Sequence, residues 1–191
     1  MSNLVREQWA VVKWILVYLK GTSRVHLRYG FGKPMLEGFP DMSGDVNSSR
    51  STSGYVMTYA GGAVSWQSRL QKPVALLTTK AEYIATVEVG KELIWMKNFL
   101  SKLGMKQERF LLHCDNQSAI HLAKNVAYHS RTNHIQRRYH WLREKVDDGE
   151  FALVKIHTDD NGSDMLTKNL LMDRLRVCRQ RTGLADFFPQ E

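Results

Sequence analysis

The order of strand and helix signals between residues 36 and 155 is the feature that most restricts the fold of this chain. Three short β-type segments come first, MLEGFPD, YVMTYA and AVSWQSRL, and the last two are joined at Gly61-Gly62, a pair typical of a hairpin. A long amphipathic helix follows from about Thr78 to Leu103, and two further strands come after it, ERFLLHCDN and FALVKIHT, with helices between them. This order predicts an α/β fold with one mixed sheet, not a doubly wound nucleotide-binding fold.

Segments on either side extend this pattern. Apolar positions repeat at helical spacing over residues 4 to 20, and Gly21 follows as a helix stop. A strand with a turn is predicted at RVHLRYGFGKP, and a turn-rich patch at MSGDVNSSRSTSG. After the last strand, GSDMLTKNLL predicts the start of a helix capped by Ser163 or Asn161, and a basic helix follows from about Met172 to Arg181.

Composition and charge exclude several classes of protein. Of the 191 residues, 43% are hydrophobic, which suffices for a core and argues against disorder. The net charge of +8 favours a polyanionic partner, with nucleic acid ahead of an anionic membrane surface. Two cysteines cannot form a disulfide framework, and charges interrupt the apolar run in MSNLVREQWAVVKWILVYLKG. We therefore expect a protein of the cytoplasm or nucleus, not a secreted one, and no membrane partner.

Four acidic residues lie at strand ends or in an apolar helix face, where a carboxylate is costly to bury. They are Asp41, Glu82, Asp115 and Asp164. Carboxylates from separate elements that converge make an oxygen-rich site suited to Mg²⁺ or Mn²⁺. Taken singly, each residue also has an ordinary interpretation. Glu82 would be a surface charge, Asp115 the N-cap of the next helix, and Asp164 a first-turn residue favoured by the helix dipole.

A set of motifs in a fixed order carries a resemblance to a known family. The motifs are RSTSGYVMTYAGGAVSWQSRLQK, TTKAEYIA, CDNQSAIHLAKN, HSRTNHI, RYHWLREKV and DMLTK. Together they resemble the ribonuclease H domain of copia-type retrotransposon Pol polyproteins, especially the plant members. VVKWILVYLKGT resembles the end of the preceding reverse transcriptase. The resemblance thus implies three parts: residues 1–34 as that end, 35–170 as the ribonuclease H domain, and 171–191 as a basic helix and tail.

The resemblance also implies a structure and an activity. The fold would be ribonuclease H-like, with a five-stranded mixed sheet flanked by helices. The reaction would be endonucleolytic hydrolysis of the RNA strand of an RNA–DNA hybrid, using two Mg²⁺ or Mn²⁺ ions. The catalytic and metal-binding acids of the family's motifs fall on Asp41, Glu82, Asp115 and Asp164. The implied partners are the hybrid and the rest of a Pol polyprotein.

Departures from the family pattern favour a second hypothesis, a degenerate or co-opted fold that binds nucleic acid or a protein without cutting. Two residues are missing around GFPDMSGD, although alignment through LEGF keeps Asp41 at the catalytic position. Pro40 removes a backbone donor from a central strand, and Lys80 brings a positive charge near a site that must gather cations. A third hypothesis, a basic adaptor without catalytic ancestry, is disfavoured by the dense motif match.

A basic segment, YHSRTNHIQRRYHWLREK, lies on and just before one predicted helix. Its candidate nucleic-acid contacts are Arg131, His134, Arg137, Arg138, Arg143 and Lys145. On a hybrid-binding enzyme we expect such residues to contact phosphates and 2′-hydroxyls rather than base edges. The alternative is a solvated helix face with no ligand.

Overall fold

A computed structural model of the chain describes residues 6–45, 50–70, 78–107, 110–124 and 133–186. The helices in these ranges are α1 (Arg6–Gly21), α2 (Thr78–Lys102), α3 (Gln117–Lys124), α4 (Asn133–Asp147) and α5 (Met172–Arg181). The strands are β1 (Val25–Leu27), β2 (Leu36–Asp45), β3 (Arg50–Tyr59), β4 (Gly62–Leu70), β5 (Leu111–Cys114), β6 (Ala152–Lys155) and β7 (Leu184–Asp186). Two 3₁₀ turns lie between β6 and α5, at Thr158–Asp160 and Gly162–Leu166.

The main sheet has five strands in the order β4-β3-β2-β5-β6. The β2–β3 and β3–β4 pairs are antiparallel, whereas β5 runs parallel to both β2 and β6. The mixed α/β sheet predicted from the sequence is therefore confirmed. Strands β1 and β7 form a second, two-stranded sheet, so segments from either side of the predicted ribonuclease H domain pair with each other.

The hairpin between β3 and β4 turns one residue earlier than the sequence predicts. Ala60 and Gly61 both have positive φ, 51° and 85°, and Gly62 already belongs to β4. Positive φ at both central residues is the geometry of a type I′ turn, whose twist matches that of the flanking strands.

Two other predictions are wrong in detail. Much of the turn-rich patch MSGDVNSSRSTSG is strand, because β2 continues to Asp45 and β3 already begins at Arg50, and the two strands pair along these ends. GSDMLTKNLL does not open an α-helix and instead forms a short 3₁₀ turn over Gly162–Leu166. Of the two candidate caps, Asn161 is the one used, since its side chain accepts a hydrogen bond from the Ser163 amide.

Helix α2 packs directly on the central strand β2, and this contact builds the core. A Cβ at Gly38 would lie 2.8 Å from Val89 Cγ1 and 2.9 Å from Leu93 Cδ1, so only glycine lets the helix approach this closely. The large buried side chains include Tyr83, Val87, Leu93, Phe110, Leu112, Leu142 and Phe151. Because α2 is fixed against β2 here, its first turns are held near the far end of that strand.

Helix α1 is apolar but does not join this core. None of its residues is buried, and Trp14 remains 74% exposed. Within the described ranges no helix combines the length and the apolar character that crossing a bilayer would need.

Candidate functional site

Asp41 lies on β2 with its side chain almost completely buried. Its carboxylate accepts hydrogen bonds from the Thr167 hydroxyl and from Lys168 Nζ, the latter at 3.0 Å from Oδ1. Burial raises the pKa of Asp41, and the nearby charge of Asp164 raises it further, although Thr167 and Lys168 act in the opposite direction. The structure therefore holds this acid in a tight, polar pocket on the central strand.

Pro40 does not interrupt the strand that carries Asp41. Pairing between β2 and β5 ends at Gly38, so Pro40 lies beyond the part of β2 that β5 covers. Its carbonyl accepts a hydrogen bond from Asn161 Nδ2 at 3.0 Å, and Asn161 is fully buried. Asn161 also immediately precedes the 3₁₀ turn with Asp164, so this one side chain fastens that turn to the central strand.

Gly54 makes room for the same turn on the other side of Asp41. It is the cross-strand neighbour of Asp41 in β3. A Cβ at Gly54 would lie 2.7 Å from Thr167 Cγ2 and 3.0 Å from Leu166 Cβ. Ser68, on β4, adds a hydrogen bond from its hydroxyl to the Leu166 carbonyl at 2.6 Å. The DMLTK segment therefore rests directly on the sheet.

Asn116, the residue after Asp115, holds the side chain of Glu82. The Asn116 Oδ1 atom accepts from the Ala119 amide at 3.0 Å, which caps α3, and its Nδ2 donates to Glu82 Oε2. Asn116, not Asp115, is thus the N-cap of this helix, and Glu82 is a half-buried, hydrogen-bonded side chain rather than a solvated charge. Burial raises the pKa of Glu82, opposed by the Asn116 hydrogen bond, and the charges of Asp115 and Asp41 raise it further.

Three of the four acids surround one small cavity. Asp41, Glu82 and Asp115 line it together with Pro40, Ala85, Thr86 and Cys114. Its volume is about 10 Å³, close to the least that can hold a single water molecule. Carboxylates from β2, α2 and the end of β5 therefore converge, although the sequence separates them by tens of residues.

Asp164 reaches this group through a bridging cation. Its side chain is buried on the 3₁₀ turn, and Lys168 Nζ lies 2.9 Å from its Oδ1 atom while also contacting Asp41. Arg174 Nη2, from α5, lies 2.8 Å from the other oxygen, Oδ2. Burial alone would lower the pKa of Lys168, but hydrogen bonds and charge from Asp164 and Asp41 outweigh it and raise that pKa, so the ammonium stays charged.

The acids of the site supply the type of ligand atom that a hard divalent cation prefers, but they are not spaced closely enough to hold one. All four acids offer carboxylate oxygens, the ligands preferred by Mg²⁺ and Mn²⁺. Yet in the described part of the chain no three acidic, histidine or cysteine side chains stand close enough together to hold an ion. Asp41, Glu82 and Asp115 line one cavity, whereas Lys168 engages one oxygen of Asp41 and one of Asp164.

The predicted basic contacts are only partly covered by the structure. Arg131 lies outside the described residues, and so do the side chains of His134, Arg137, Arg138 and of Lys80. Arg143 and Lys145 lie half-buried on α4. Lys145 forms an ion pair with Asp148 at 3.2 Å, so part of its charge is already balanced within the protein.

Sequence reasoning missed the side chains that hold the acids in place. These are Asn116, Thr167, Lys168 and Arg174. Lys168 had a usable signal, since it follows Asp164 by four residues, a spacing that brings side chains together on one turn. Arg174 had none, because it comes from a separate helix and only the tertiary fold brings it to Asp164.

No protein-family model matches the chain. The retrovirus-related Pol polyprotein from transposon TNT 1-94 of Nicotiana tabacum is 50% identical over 186 residues, which cover 96% of this chain and 14% of the polyprotein. The Pol polyprotein from transposon RE2 of Arabidopsis thaliana is 33% identical over 168 residues, covering 86% of this chain and 12% of the polyprotein. The chain therefore spans only about one seventh of the length of these curated relatives, or less.

Solved structures give the fold. Ribonuclease H1 from Halobacterium salinarum has a TM-score of 0.50 at 16% identity, covering 70% of this chain and 94% of that protein. LC11 ribonuclease H1 in complex with an RNA/DNA hybrid has a TM-score of 0.50 at 14% identity, covering 69% of this chain and 93% of that protein. Together the relatives and the architecture agree with the sequence prediction: the chain is a homologue of retrovirus-related Pol polyproteins from plant transposons, and it has the ribonuclease H fold.

Proposed function

We propose that this chain is the ribonuclease H domain of a copia-type retroelement, which cuts the RNA strand of RNA–DNA hybrids with the help of divalent metal ions. The observation that carries the proposal is the convergence of Asp41, Glu82 and Asp115 on one cavity, with Asp164 tied to Asp41 by Lys168. The relatives suggest a Pol polyprotein as the natural context of such a domain.

The protein's own residues would bind and orient the ions and the phosphate. Asp41, Glu82 and Asp115 would hold a divalent ion, and Asp164 would join Asp41 at a second ion. When bound, Mg²⁺ or Mn²⁺ supplies an activated water and offsets charge on the scissile phosphate. Asn116 fixes the orientation of Glu82, and Thr167 that of Asp41, so that both carboxylates stay directed at the site.

The proposed substrate follows from charge and from shape. The LC11 neighbour was crystallised with an RNA/DNA hybrid. The net charge of +8 on this chain favours a polyanion, and α4 carries a basic segment. On this proposal, Arg131, His134, Arg137, Arg138, Arg143 and Lys145 contact phosphates and sugars of the hybrid, with little dependence on base sequence.

A cleavage assay on an end-labelled RNA annealed to DNA tests the proposal. We expect Mg²⁺- or Mn²⁺-dependent cuts in the hybrid, and none in the same RNA alone or in an RNA duplex. Asp115→Asn and Glu82→Gln should each lower the rate at least roughly a hundredfold, because an amide is a poor ligand for a hard cation. Glu92→Gln, at an exposed position on the same helix as Glu82, should leave the rate unchanged.

A second candidate function, binding of the hybrid without cleavage, is favoured by one observation. Lys168 forms ion pairs with Asp41 and Asp164, and Arg174 forms another with Asp164, so the protein's own cations already offset the charge of these two acids. Hybrid binding with no cleavage by the wild-type protein in either metal would support this candidate and contradict the proposed enzyme.

A further inference from the structure

Every oxygen of the Asp41–Asp164 pair has a donor from within the protein. Lys168 Nζ stands 3.0 Å from Asp41 Oδ1 and 2.9 Å from Asp164 Oδ1. Thr167 occupies the second oxygen of Asp41, and Arg174 Nη2 the second oxygen of Asp164, at 2.8 Å. The two carboxylate side chains are only 4% and 5% exposed, so solvent does little for their charge.

Lys168 offsets the repulsion between the buried carboxylates of Asp41 and Asp164. Two ionised carboxylates that face each other at a buried position repel strongly, because the interior screens charge far less than water does. A single ammonium between them reverses the sign of that interaction. Lys168 is a suitable group, since its side chain is flexible and 32% exposed.

We propose that Lys168 is a resident counter-cation of the Asp41–Asp164 pair, which a divalent ion must displace before it can bind between these two carboxylates. The inference rests on the proposed metal-dependent function. The same ammonium lies within 3.0 Å of one oxygen from each acid, so an ion bound between these oxygens would lie against a second positive charge. Of the two acids, Arg174 contacts only Asp164, on its other oxygen, and can stay in place.

Removing the Lys168 ammonium should have two opposite effects, one on stability without metal and one on metal binding. Without metal, the bare carboxylates repel each other and the fold is less stable. With metal, the competitor is gone and the ion binds more tightly. A lysine that merely forms a structural ion pair would produce the first consequence but not the second.

The test compares wild type with Lys168→Met and with Lys97→Met. Lys97 is a matched control, because it pairs with Glu150 at 2.6 Å and its side chain is 31% exposed, almost the same as Lys168. Mn²⁺ binding is measured by the spin resonance signal of the free ion, and thermal unfolding is measured with chelator and with Mn²⁺.

We expect Lys168→Met to lower the Kd for Mn²⁺ at least roughly tenfold, since it removes a cation at contact distance from the ligands. In chelator, Lys168→Met should unfold at a lower temperature than wild type. Mn²⁺ should raise the unfolding temperature of Lys168→Met by more than it raises that of wild type. Lys97→Met should unfold earlier but bind Mn²⁺ as wild type does. If Lys168→Met does not fold, Lys168→Gln should show the same two changes, whereas Lys168→Arg should show no gain in Mn²⁺ affinity.

An unchanged or weaker Mn²⁺ affinity in Lys168→Met and Lys168→Gln would overturn the inference, and so would no binding by any variant. The cleavage assay on wild type judges the proposed function separately. Cleavage without a gain in Mn²⁺ affinity would reject only the counter-cation. A gain in affinity without cleavage by wild type would keep the counter-cation and reject the enzyme.

Discussion

At the scale of single residues, Asn161 is the side chain that joins the two halves of the acidic site. It is 1% exposed, donates to the Pro40 carbonyl at 3.0 Å, and accepts from the Ser163 amide at 3.2 Å and the Ser163 hydroxyl at 2.6 Å. Pro40, which precedes Asp41, is thereby fixed to the 3₁₀ turn that carries Asp164. Few polar side chains in the described part of the chain are as completely enclosed.

We expect Asn161→Ala to lower the free energy of unfolding by roughly 1–3 kcal/mol, because it leaves buried donors and acceptors without partners. Urea denaturation, read by circular dichroism, measures this change. Asn98→Ala is the control, since Asn98 is exposed on α2 and should change stability by less than about 0.5 kcal/mol. A loss at Asn161 as small as that at Asn98 would contradict the role given to Asn161.

Residue patterns located the acids of the site better than their partners. Asp41, Glu82, Asp115 and Asp164 could be singled out because a carboxylate at the end of a strand or on an apolar helix face needs an explanation within its own segment. Arg174 carried no such local sign, because arginines on a basic helix are ordinary solvated residues. Its contact with Asp164 depends on how α5 is placed, which only long-range packing decides.

At the scale of elements, the contact between the 3₁₀ turn and β3 sets the position of Thr167 and Lys168. It depends on Gly54, because a side chain at this position would bring its Cβ within 2.7 Å of Thr167 Cγ2. We expect Gly54→Ala to push the turn away from the sheet and to lower the free energy of unfolding by roughly 1–3 kcal/mol, as overpacking does. Urea denaturation measures the change.

Gly44→Ala provides the comparison, because Gly44 lies near the end of the neighbouring strand β2 and a Cβ there would meet nothing within 4 Å. It should be neutral or slightly stabilising, since alanine restricts the unfolded chain more than glycine does. Equal effects of the two substitutions would show that the turn does not rest on Gly54.

Elements with a regular repeat of apolar residues could be predicted from the sequence, whereas strand ends that depend on pairing with another strand could not. The apolar repeat of α2 gave its type and nearly its bounds, Thr78–Lys102. The patch MSGDVNSSRSTSG has the composition of a turn, yet β2 and β3 continue into it because each supplies the other with backbone partners. The reverse holds for GSDMLTKNLL, where the contact with Gly54 and the Asn161 cap favour a tight 3₁₀ turn over a helix.

At the scale of the whole molecule, the segments on either side of the predicted ribonuclease H domain take part in one structure. Strand β1, from the first predicted part, pairs with β7, from the last, and α5 supplies Arg174 to the acidic site. Helix α1 remains outside this arrangement, with Trp14 and the rest of its apolar surface exposed. The two-stranded sheet and the set of side chains around Asp164 thus both include residues outside 35–170.

The distribution of charge over the molecule leads to a last prediction, on hybrid binding. If the basic segment around α4 neutralises phosphates, the binding constant must fall steeply with salt, by about 0.7–0.9 logarithmic units per contact for each tenfold rise in salt concentration. We expect Arg137→Ala combined with Arg138→Ala to reduce that slope by roughly 1–2. Titrations by fluorescence anisotropy at several salt concentrations, in an Asp115→Asn background that prevents cleavage, give the slope.

The double substitution Lys102→Ala and Lys106→Ala removes the same charge from another part of the surface. Lys102 lies twenty residues after Glu82 on α2, roughly 30 Å along the helix axis, and both lysines are exposed. This variant should keep nearly the wild-type slope, because neither lysine belongs to the basic segment that we propose contacts the phosphates. Equal slopes in the two double variants would mean that the hybrid does not lie along α4, and that net charge alone attracts it.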